Sequence, residues 1–262
     1  MGMRRAMMAL VAAAAAAGMT GPAPAQDMMR YLDLDSPAMT RAEMTRAEVE
    51  RALAAPNPDL SGKRLAHLDL SGLDFHGARL QAAVLNGTRL GGADLAGAVL
   101  DQAWMLKADL RGANLAGASL FGSQAMGALL DGADLAKARL AGDFTGASLK
   151  GARLPGARLG ADMRNQSMGL MRAVLKSAQL EGADFSGADL TRVDLEFASL
   201  RGAHLTGADL TGALLAGADL TGALVEGADF TGADVASARL QGMVGTPRGL
   251  DKARNLDRAR RD

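Results

Sequence analysis

Side chains that could carry out catalysis or bind a metal ion are few in this sequence. Histidine occurs three times, at His67, His76 and His204, and cysteine is absent, so no thiol nucleophile or thiolate metal site can form. The sequence also contains no phosphate-binding loop, no dinucleotide-binding fingerprint and no zincin motif. Composition therefore gives little support to an enzyme.

Carboxylates are more plentiful and recur at regular intervals. Asp and Glu total 29 residues, and Asp189, Asp209 and Asp229 follow one another at intervals of twenty. Hard oxygen ligands of this kind suit calcium, and paired carboxylates can perform acid–base catalysis when a cleft gives them unlike environments. Whether these side chains meet depends on the elements that carry them.

A large apolar residue recurs every five positions between Leu60 and Leu240, as in the segment GADLAGAVL at 92–100. This period fits neither an α-helix nor a long strand. In a short extended unit, the Ala and the Leu two positions later point to the same side, and the polar residue between them points out. The frequent Gly suits a tight corner. Such units predict a solenoid with layers about 4.8 Å apart, whose number of sides stays open.

Units such as Ala188-Asp189-Leu190 and Ala218-Asp219-Leu220 resemble the pentapeptide-repeat family, over roughly 180 residues. The resemblance implies an all-β solenoid, a right-handed quadrilateral β-helix with four pentapeptides, or about twenty residues, per coil. About nine coils would form a rod on the order of 40 Å long. The family includes topoisomerase-protecting proteins.

A coil of this length places outward side chains in columns. One column contains Asp74, Asp94, Asn114 and Asp134, another contains Asp189, Asp209 and Asp229, and a third alternates in sign through Asp69, Arg89 and Asp109. A cation could bridge neighbouring carboxylates, but we expect solvated side chains or bonds to the local backbone, because Asp is habitual at this position. The three histidines share no column and are expected on the surface. We therefore predict no catalytic residue, no cofactor and no metal site.

The N-terminus has the three parts of a secretory signal peptide. Arg4 and Arg5 precede an apolar run over 6–17, and Ala23-Pro24-Ala25 provides a cleavage signal. The run is too short for a permanent membrane anchor. We therefore predict a signal peptide at 1–25 and export to the periplasm or the outside of the cell. The alternative is an uncleaved Ala-rich helix.

Residues 26–59 are predicted to form a linker and a helical cap on the first coil. Two capping boxes, Thr40-Arg41-Ala42-Glu43 and Thr45-Arg46-Ala47-Glu48, precede the stop at Pro56-Asn57-Pro58. The β-helix then occupies 60–245. A second capping helix is predicted at 246–262, with Leu250, Ala253, Leu256 and Ala259 on its apolar side. The alternatives for this end are a tail that binds a membrane surface or nucleic acid, and a homodimerisation element.

Two features interrupt the repeat and are candidate sites. Apolar residues at or near outward positions predict a partner surface around the single Trp, made of Val84, Trp104, Leu106, Phe121, Met126 and Leu129. Alternatively, Trp104 folds over a corner and covers its neighbours. The register breaks over 141–169, where Arg164, Asn165 and Gln166 would occupy a small loop. The alternative is an irregularity that the fold tolerates.

Lys and Arg also total 29, so the formal net charge is zero. This balance argues against a nucleic-acid binder and against a strongly acidic DNA mimic. The sequence thus favours an exported, non-catalytic scaffold that binds an unknown protein partner, with no small-molecule substrate and no nucleic acid. A topoisomerase-directed protein and a hydrolase of extracellular polymers are the alternatives.

Overall fold

A computed structural model describes residues 33–161 and 171–261. The predicted signal peptide and the loop residues Arg164, Asn165 and Gln166 lie outside these ranges. The chain divides into two compact units, Met1–Leu34 and Asp35–Asp262. Of the first unit, the structure describes only residues 33 and 34.

Two helices precede the repeats: α1, Pro37–Thr40, and α2, Arg46–Leu53. The capping box predicted at the start of α2 is confirmed, because the Glu48 N–H donates to the Thr45 hydroxyl and the Thr45 N–H donates to the Glu48 carboxylate. The box predicted at Thr40 is wrong. Thr40 ends α1 and its hydroxyl donates to the Ser36 carbonyl, while the Glu43 N–H donates to the Arg64 carbonyl.

Helix α2 packs against the first coil. Val49 is fully buried in the core, and Leu53 is partly buried against it. The Arg46 guanidinium donates to the carbonyls of Asp69 and Ser71 at 2.9 and 3.3 Å. The N-terminal cap thereby covers apolar side chains that an open end would expose.

Beyond residue 58, the outward residues of the pentapeptides form parallel bridges, most of them to the residue twenty positions later. Four successive pentapeptides bridge before the pattern repeats, so the bridges line up in four ladders. Each pentapeptide contributes a single bridging residue. The described residues therefore contain isolated bridges in ladders, where the all-β prediction expected strands.

The ladders are numbered here in chain order, and each ladder is a line of outward side chains. Ladder 1 contains Asp59, Arg79, Val99, Ser119, Arg139, Arg158, Asp189, Asp209, Asp229 and Arg248. Ladder 2 contains Arg64, Val84, Trp104, Gln124, Asp143, Val174, Asp194, Leu214, Asp234 and Arg254. Ladder 3 contains Asp69, Arg89, Asp109, Leu129, Ser148, Gln179, Ser199, Asp219, Arg239 and Arg260. Ladder 4 contains Asp74, Asp94, Asn114, Asp134, Arg153, Asp184, His204, Leu224 and Val244.

The inward positions form one continuous apolar core. The Leu of each pentapeptide and the Ala two positions before it are almost all fully buried from Leu60 to Leu240. Phenylalanine replaces the Leu at four fully buried positions, Phe75, Phe144, Phe185 and Phe230. The predicted alternation of inward Leu and Ala with outward polar residues is confirmed.

The break in register has two parts. The ladder step first shortens to nineteen residues, as from Gln124 to Asp143, and then lengthens to thirty-one, as from Asp143 to Val174. The shortened corner needs Gly142, because a Cβ there would lie 2.6 Å from the Ser123 carbonyl oxygen. The longer step adds eleven residues, and the Ala173 N–H donates to the Leu159 carbonyl across the base of the insertion.

The single helix predicted at 246–262 is not formed, and two 3₁₀ turns, Leu250–Lys252 and Leu256–Arg258, take its place. Left-handed backbone at Gly249 (φ 64°) and Asn255 (φ 58°) starts each turn and prevents a continuous helix. The ladders continue at six-residue spacing through Arg248, Arg254 and Arg260. The apolar residues predicted for the helix, spaced by three, lie partly buried against the core: Leu250, Ala253, Leu256 and Ala259.

None of the helices within the described ranges combines the length and the apolar character needed to cross a bilayer.

Candidate functional site

The outward aspartates accept hydrogen bonds from the backbone of the corners that follow them. In the described ranges, fourteen of them accept, through Oδ1, a hydrogen bond from the backbone N–H two residues later, and Asn114 does the same. This local bond is the Asx turn that favours Asp and Asn in tight corners. The prediction that these side chains bond to the local backbone is confirmed. The aspartates thus hold the coils in shape.

Such hydrogen bonds lower the pKa of several of these carboxyl groups. The hydroxyl and N–H of Ser71, together with the Arg89 guanidinium, lower the pKa of Asp69 to about 2. Likewise, the hydroxyl and N–H of Thr231 lower the pKa of Asp229. The predicted columns exist as ladders, and the Asn114 side chain donates to Asp94 at 2.9 Å. Within 33–161 and 171–261, no group of three or more His, Asp or Glu side chains is placed to hold a metal ion.

The three histidines are exposed, as predicted. His204 belongs to ladder 4 beside Asp184. His67 and His76 lie at corners, and the His67 ring is close to Gly87 of the next coil. No two of the three share a ladder.

Charges are segregated along the chain although they cancel overall. Residues 60–161 contain eleven basic and eight acidic side chains, whereas 181–245 contain three basic and ten acidic ones. The last turns, 246–261, return to six basic and two acidic. Ion pairs join neighbouring coils, such as Arg89 with Asp69 at 3.1 Å and Arg254 with Asp234 at 4.0 Å. The net charge of zero is therefore the sum of an acidic segment at 181–245 and basic segments at 60–161 and 246–261.

The predicted partner surface is only partly exposed. Trp104 lies in ladder 2 between Val84 and Gln124, as expected, but Val84 is only 3% exposed and does not belong to the surface. The N-terminal segment, predicted as a linker and a helical cap on the first coil, also lies against this part of ladder 2. The Asn86 amide donates to the Met39 carbonyl at 3.2 Å. Together with the Glu43–Arg64 backbone bond, this contact brings the segment against ladder 2 beside Val84.

The other five predicted residues are half-buried and lie on two neighbouring coils. Leu106 and Met126 follow each other at the corner between ladders 2 and 3, and Leu129 belongs to ladder 3. Phe121 lies at the corner between ladders 1 and 2, with the Arg139 guanidinium carbon 3.9 Å from its ring centroid. We call these five residues the Trp104 surface: Trp104, Leu106, Phe121, Met126 and Leu129. The Trp104 surface extends from the corner before ladder 2 to ladder 3.

Sequence reasoning missed the most exposed large apolar side chains of the described residues, Phe197 at 61% and Val244 at 58%. Phe197 stands two positions after the buried Leu195, where the repeat usually has Gly. The replacement of the usual Gly by Phe is the feature of the sequence that could have identified this position. A shallow groove of about 430 Å³ adjoins it, lined in part by Ser199, Gly217 and Arg239. Another groove of similar size is lined by three arginines and two glycines: Arg172, Arg192, Gly212, Gly232 and Arg254.

A comparison with family profiles finds eight copies of the family described as Pentapeptide repeats. They cover 57–87, 93–132, 108–142, 126–165, 170–207 and 208–242. The chain belongs to the pentapeptide-repeat family. The resemblance drawn from the Ala-Asp-Leu units is thereby confirmed, and the match covers nearly the whole segment of ladders.

Several solved structures of pentapeptide-repeat proteins are similar to this one. HetL from the cyanobacterium Nostoc sp. strain PCC 7120, involved in heterocyst differentiation regulation, is 33% identical, covering 83% of this chain and 95% of HetL, with a TM-score of 0.39. QnrB1, a plasmid-mediated fluoroquinolone resistance protein, is 19% identical over 76% of this chain and 89% of its own, with a TM-score of 0.41. A pentapeptide-repeat protein from the Arabidopsis thaliana thylakoid lumen is 20% identical over 77% and 74%, with a TM-score of 0.16. No curated protein sequence matches the chain.

Proposed function

We propose that this pentapeptide-repeat protein is an exported, non-catalytic scaffold that binds a protein partner through the Trp104 surface. Its coils are those of a right-handed quadrilateral β-helix, the architecture that the family resemblance implies. The observation that carries the proposal is the group of half-buried large apolar side chains around Trp104, the single Trp of the sequence. Aromatic residues anchored in this way are typical of interface centres.

The shape of the Trp104 surface supports a protein partner. Trp104 has Gln124 beside it in ladder 2, while Leu106 and Met126 provide flexible apolar contacts at the next corner. Arg139 over Phe121 adds a cation at the rim. Apolar centres bordered by polar and cationic side chains suit macromolecular docking better than enclosure of a small molecule.

The absence of catalysis is proposed from the state of the carboxylates. Acid–base catalysis by a pair of carboxyl groups needs unlike environments for the two groups in a cleft. Here the outward aspartates share one environment, each bound to its own corner, and those with shifted pKa values are all shifted downward. They are suited to holding turns.

Export is proposed from the N-terminal sequence alone. Arg4 and Arg5, the apolar run at 6–17 and the small residues Ala23 and Ala25 have the order of a signal peptide.

One experiment tests location and surface together. Cells producing the tagged full chain are fractionated, and the exported fraction is crosslinked and purified beside Trp104→Ala and a surface control, Lys137→Ala. We expect the mature chain, shortened by about 25 residues, outside the cytoplasm. We also expect a crosslinked protein band that Trp104→Ala weakens at least tenfold and Lys137→Ala leaves intact, because truncating an interface anchor costs about 2 kcal/mol or more. Cytoplasmic retention would contradict export, and equal recovery with Trp104→Ala would remove the Trp104 surface.

A topoisomerase-directed protein is the second candidate, and the charge segregation favours it. Residues 181–245 carry a net charge of −7, with Asp189, Asp209 and Asp229 aligned in ladder 1. Such a surface can imitate the phosphates of DNA in its charge. Inhibition of DNA supercoiling by the purified chain at low concentration would favour this candidate over the scaffold.

A further inference from the structure

Phe197 combines two features that destabilise a folded chain. Its ring is 61% exposed, and its backbone is left-handed, with φ of 59°. Nine other described non-Gly residues share the left-handed conformation, but none of them is Phe, Tyr or Trp. A bulky side chain at such a position is a true outlier, and strain of this kind clusters at functional sites. The position is therefore a candidate for binding.

The neighbouring coil accommodates the ring. Gly217 follows Phe197 at the same corner, and a Cβ on Gly217 would lie 2.6 Å from Phe197 Cδ1. The ring therefore rests on bare backbone. From the preceding coil, the Lys176 ammonium lies 5.8 Å from the ring centroid and pairs with Glu196 at 2.6 Å. This support holds the ring in place while much of its surface stays in contact with water.

A shallow groove extends from the ring toward ladder 3. Small side chains line it beside Phe197, and Asp219, Arg239 and Arg260 form its polar part. Asp219 is already engaged, because Arg201 and Arg239 lie 3.2 and 3.4 Å from its Oδ2. The Arg260 guanidinium, in contrast, forms no ion pair and no hydrogen bond with any residue of 33–161 or 171–261. The groove thus has an aromatic wall and a cation that pairs with none of the described residues.

We propose that the Phe197 groove is a second docking site, which binds an acidic peptide segment of a partner protein. An aromatic or aliphatic side chain of the segment packs on Phe197 and the backbone of Gly217. An Asp or Glu near it in the segment pairs with Arg260, since the guanidinium fork matches a carboxylate in geometry as well as charge. Aromatic and Arg side chains together are enriched in protein interfaces. This site is independent of the Trp104 surface.

A displayed library of random peptides, panned against the full chain, tests the proposal. We expect enrichment of peptides that place an apolar residue beside Asp or Glu. Synthetic copies of them, followed by fluorescence anisotropy, should bind at least tenfold more weakly to Phe197→Ala. Arg260→Gln should weaken binding severalfold and reduce its dependence on salt. Val244→Ala, which truncates the other exposed large apolar residue, is the matched control and should bind as the unmodified chain does.

Circular dichroism of Phe197→Ala separates lost binding from lost folding, and we expect an unchanged spectrum because the ring is largely exposed and Ala82 adopts the same left-handed backbone. Failure to enrich any peptide would overturn the proposal, as would enriched peptides without acidic residues or with affinity that Phe197→Ala leaves unchanged. Retardation by polygalacturonate in a native gel, lost in Phe197→Ala, would also overturn it by identifying an acidic polysaccharide as the occupant.

Discussion

At the scale of single residues, the outward Asp connects the repeat sequence with the corner that follows it. Its carboxylate accepts the N–H two residues later, and Asn114 shows that an amide oxygen can replace it. Asp69 combines this bond with an ion pair to Arg89 at 3.1 Å. Both interactions favour the charged carboxylate, which lowers its pKa from 3.8 to about 2.

Asp69→Asn should therefore change how stability depends on pH. Because its folded-state pKa is lowered, the charged Asp69 stabilises the fold above about pH 4, and this contribution disappears as pH falls toward 2. We expect the unmodified chain to be more stable than Asp69→Asn by a constant amount above pH 5, with the difference shrinking below pH 4. Urea unfolding at several pH values measures it. A difference that stays constant down to pH 2 would contradict the assignment.

Sequence alone predicted this role for Asp, but it predicted neither the burial of Val84 nor the exposure of Phe197. The position of Asp in each five-residue unit fixes its neighbours, so local chemistry was sufficient. The burial of Val84 depends on contacts near Met39, almost fifty residues away and without periodicity. Phe197 was overlooked because the inference followed the outward middle position, whereas its ring stands at a corner normally occupied by Gly.

At the scale of elements, the two departures from the pentapeptide rule have separate physical causes. The six-residue spacing from Arg248 to Arg260 inserts a 3₁₀ turn at each corner, and the apolar spacing of three that suggested an α-helix suits such turns as well. The four-residue step before Phe144 instead draws the backbone inward until Gly142 contacts Ser123. The sequence indicated the break before Phe144, but it suggested an α-helix in place of the six-residue turns, which only the backbone path shows.

Gly142→Ala should destabilise the protein by about 1–3 kcal/mol, because the added methyl group meets fixed backbone. Gly91→Ala is the matched control: Gly91 also lacks a positive φ, and a Cβ there would lie an ordinary 3.7 Å from the Arg111 carbonyl oxygen. That change should be neutral or stabilise by up to about 1 kcal/mol. Thermal unfolding followed by circular dichroism gives both values. Equal effects of the two substitutions would refute a close approach at Gly142.

At the scale of the whole molecule, in-register stacking positions every surface described above. It brings Trp104 beside Gln124, places Phe197 over Gly217 and aligns the aspartates of ladder 1. The period of five predicted the inward Leu and Ala, whereas twenty residues per coil came from the family resemblance. The period of five could not show where the chain rejoins its ladders after the insertion. Leu170 falls in the same five-residue phase whether or not it is part of the core.

The most direct test of this stacking is a set of distances along ladder 1, and the absence of Cys makes site-specific labelling straightforward. Spin labels at Arg79→Cys and Arg158→Cys span four ladder steps, and labels at Arg79→Cys and Asp209→Cys span six. At about 4.8 Å per step, pulsed electron paramagnetic resonance should give roughly 19 and 29 Å. The second distance would exceed the first by only about 10 Å, although 51 residues separate 158 from 209. Distances that grow with residue number across the insertion, or that fail to follow the number of coils, would contradict the account.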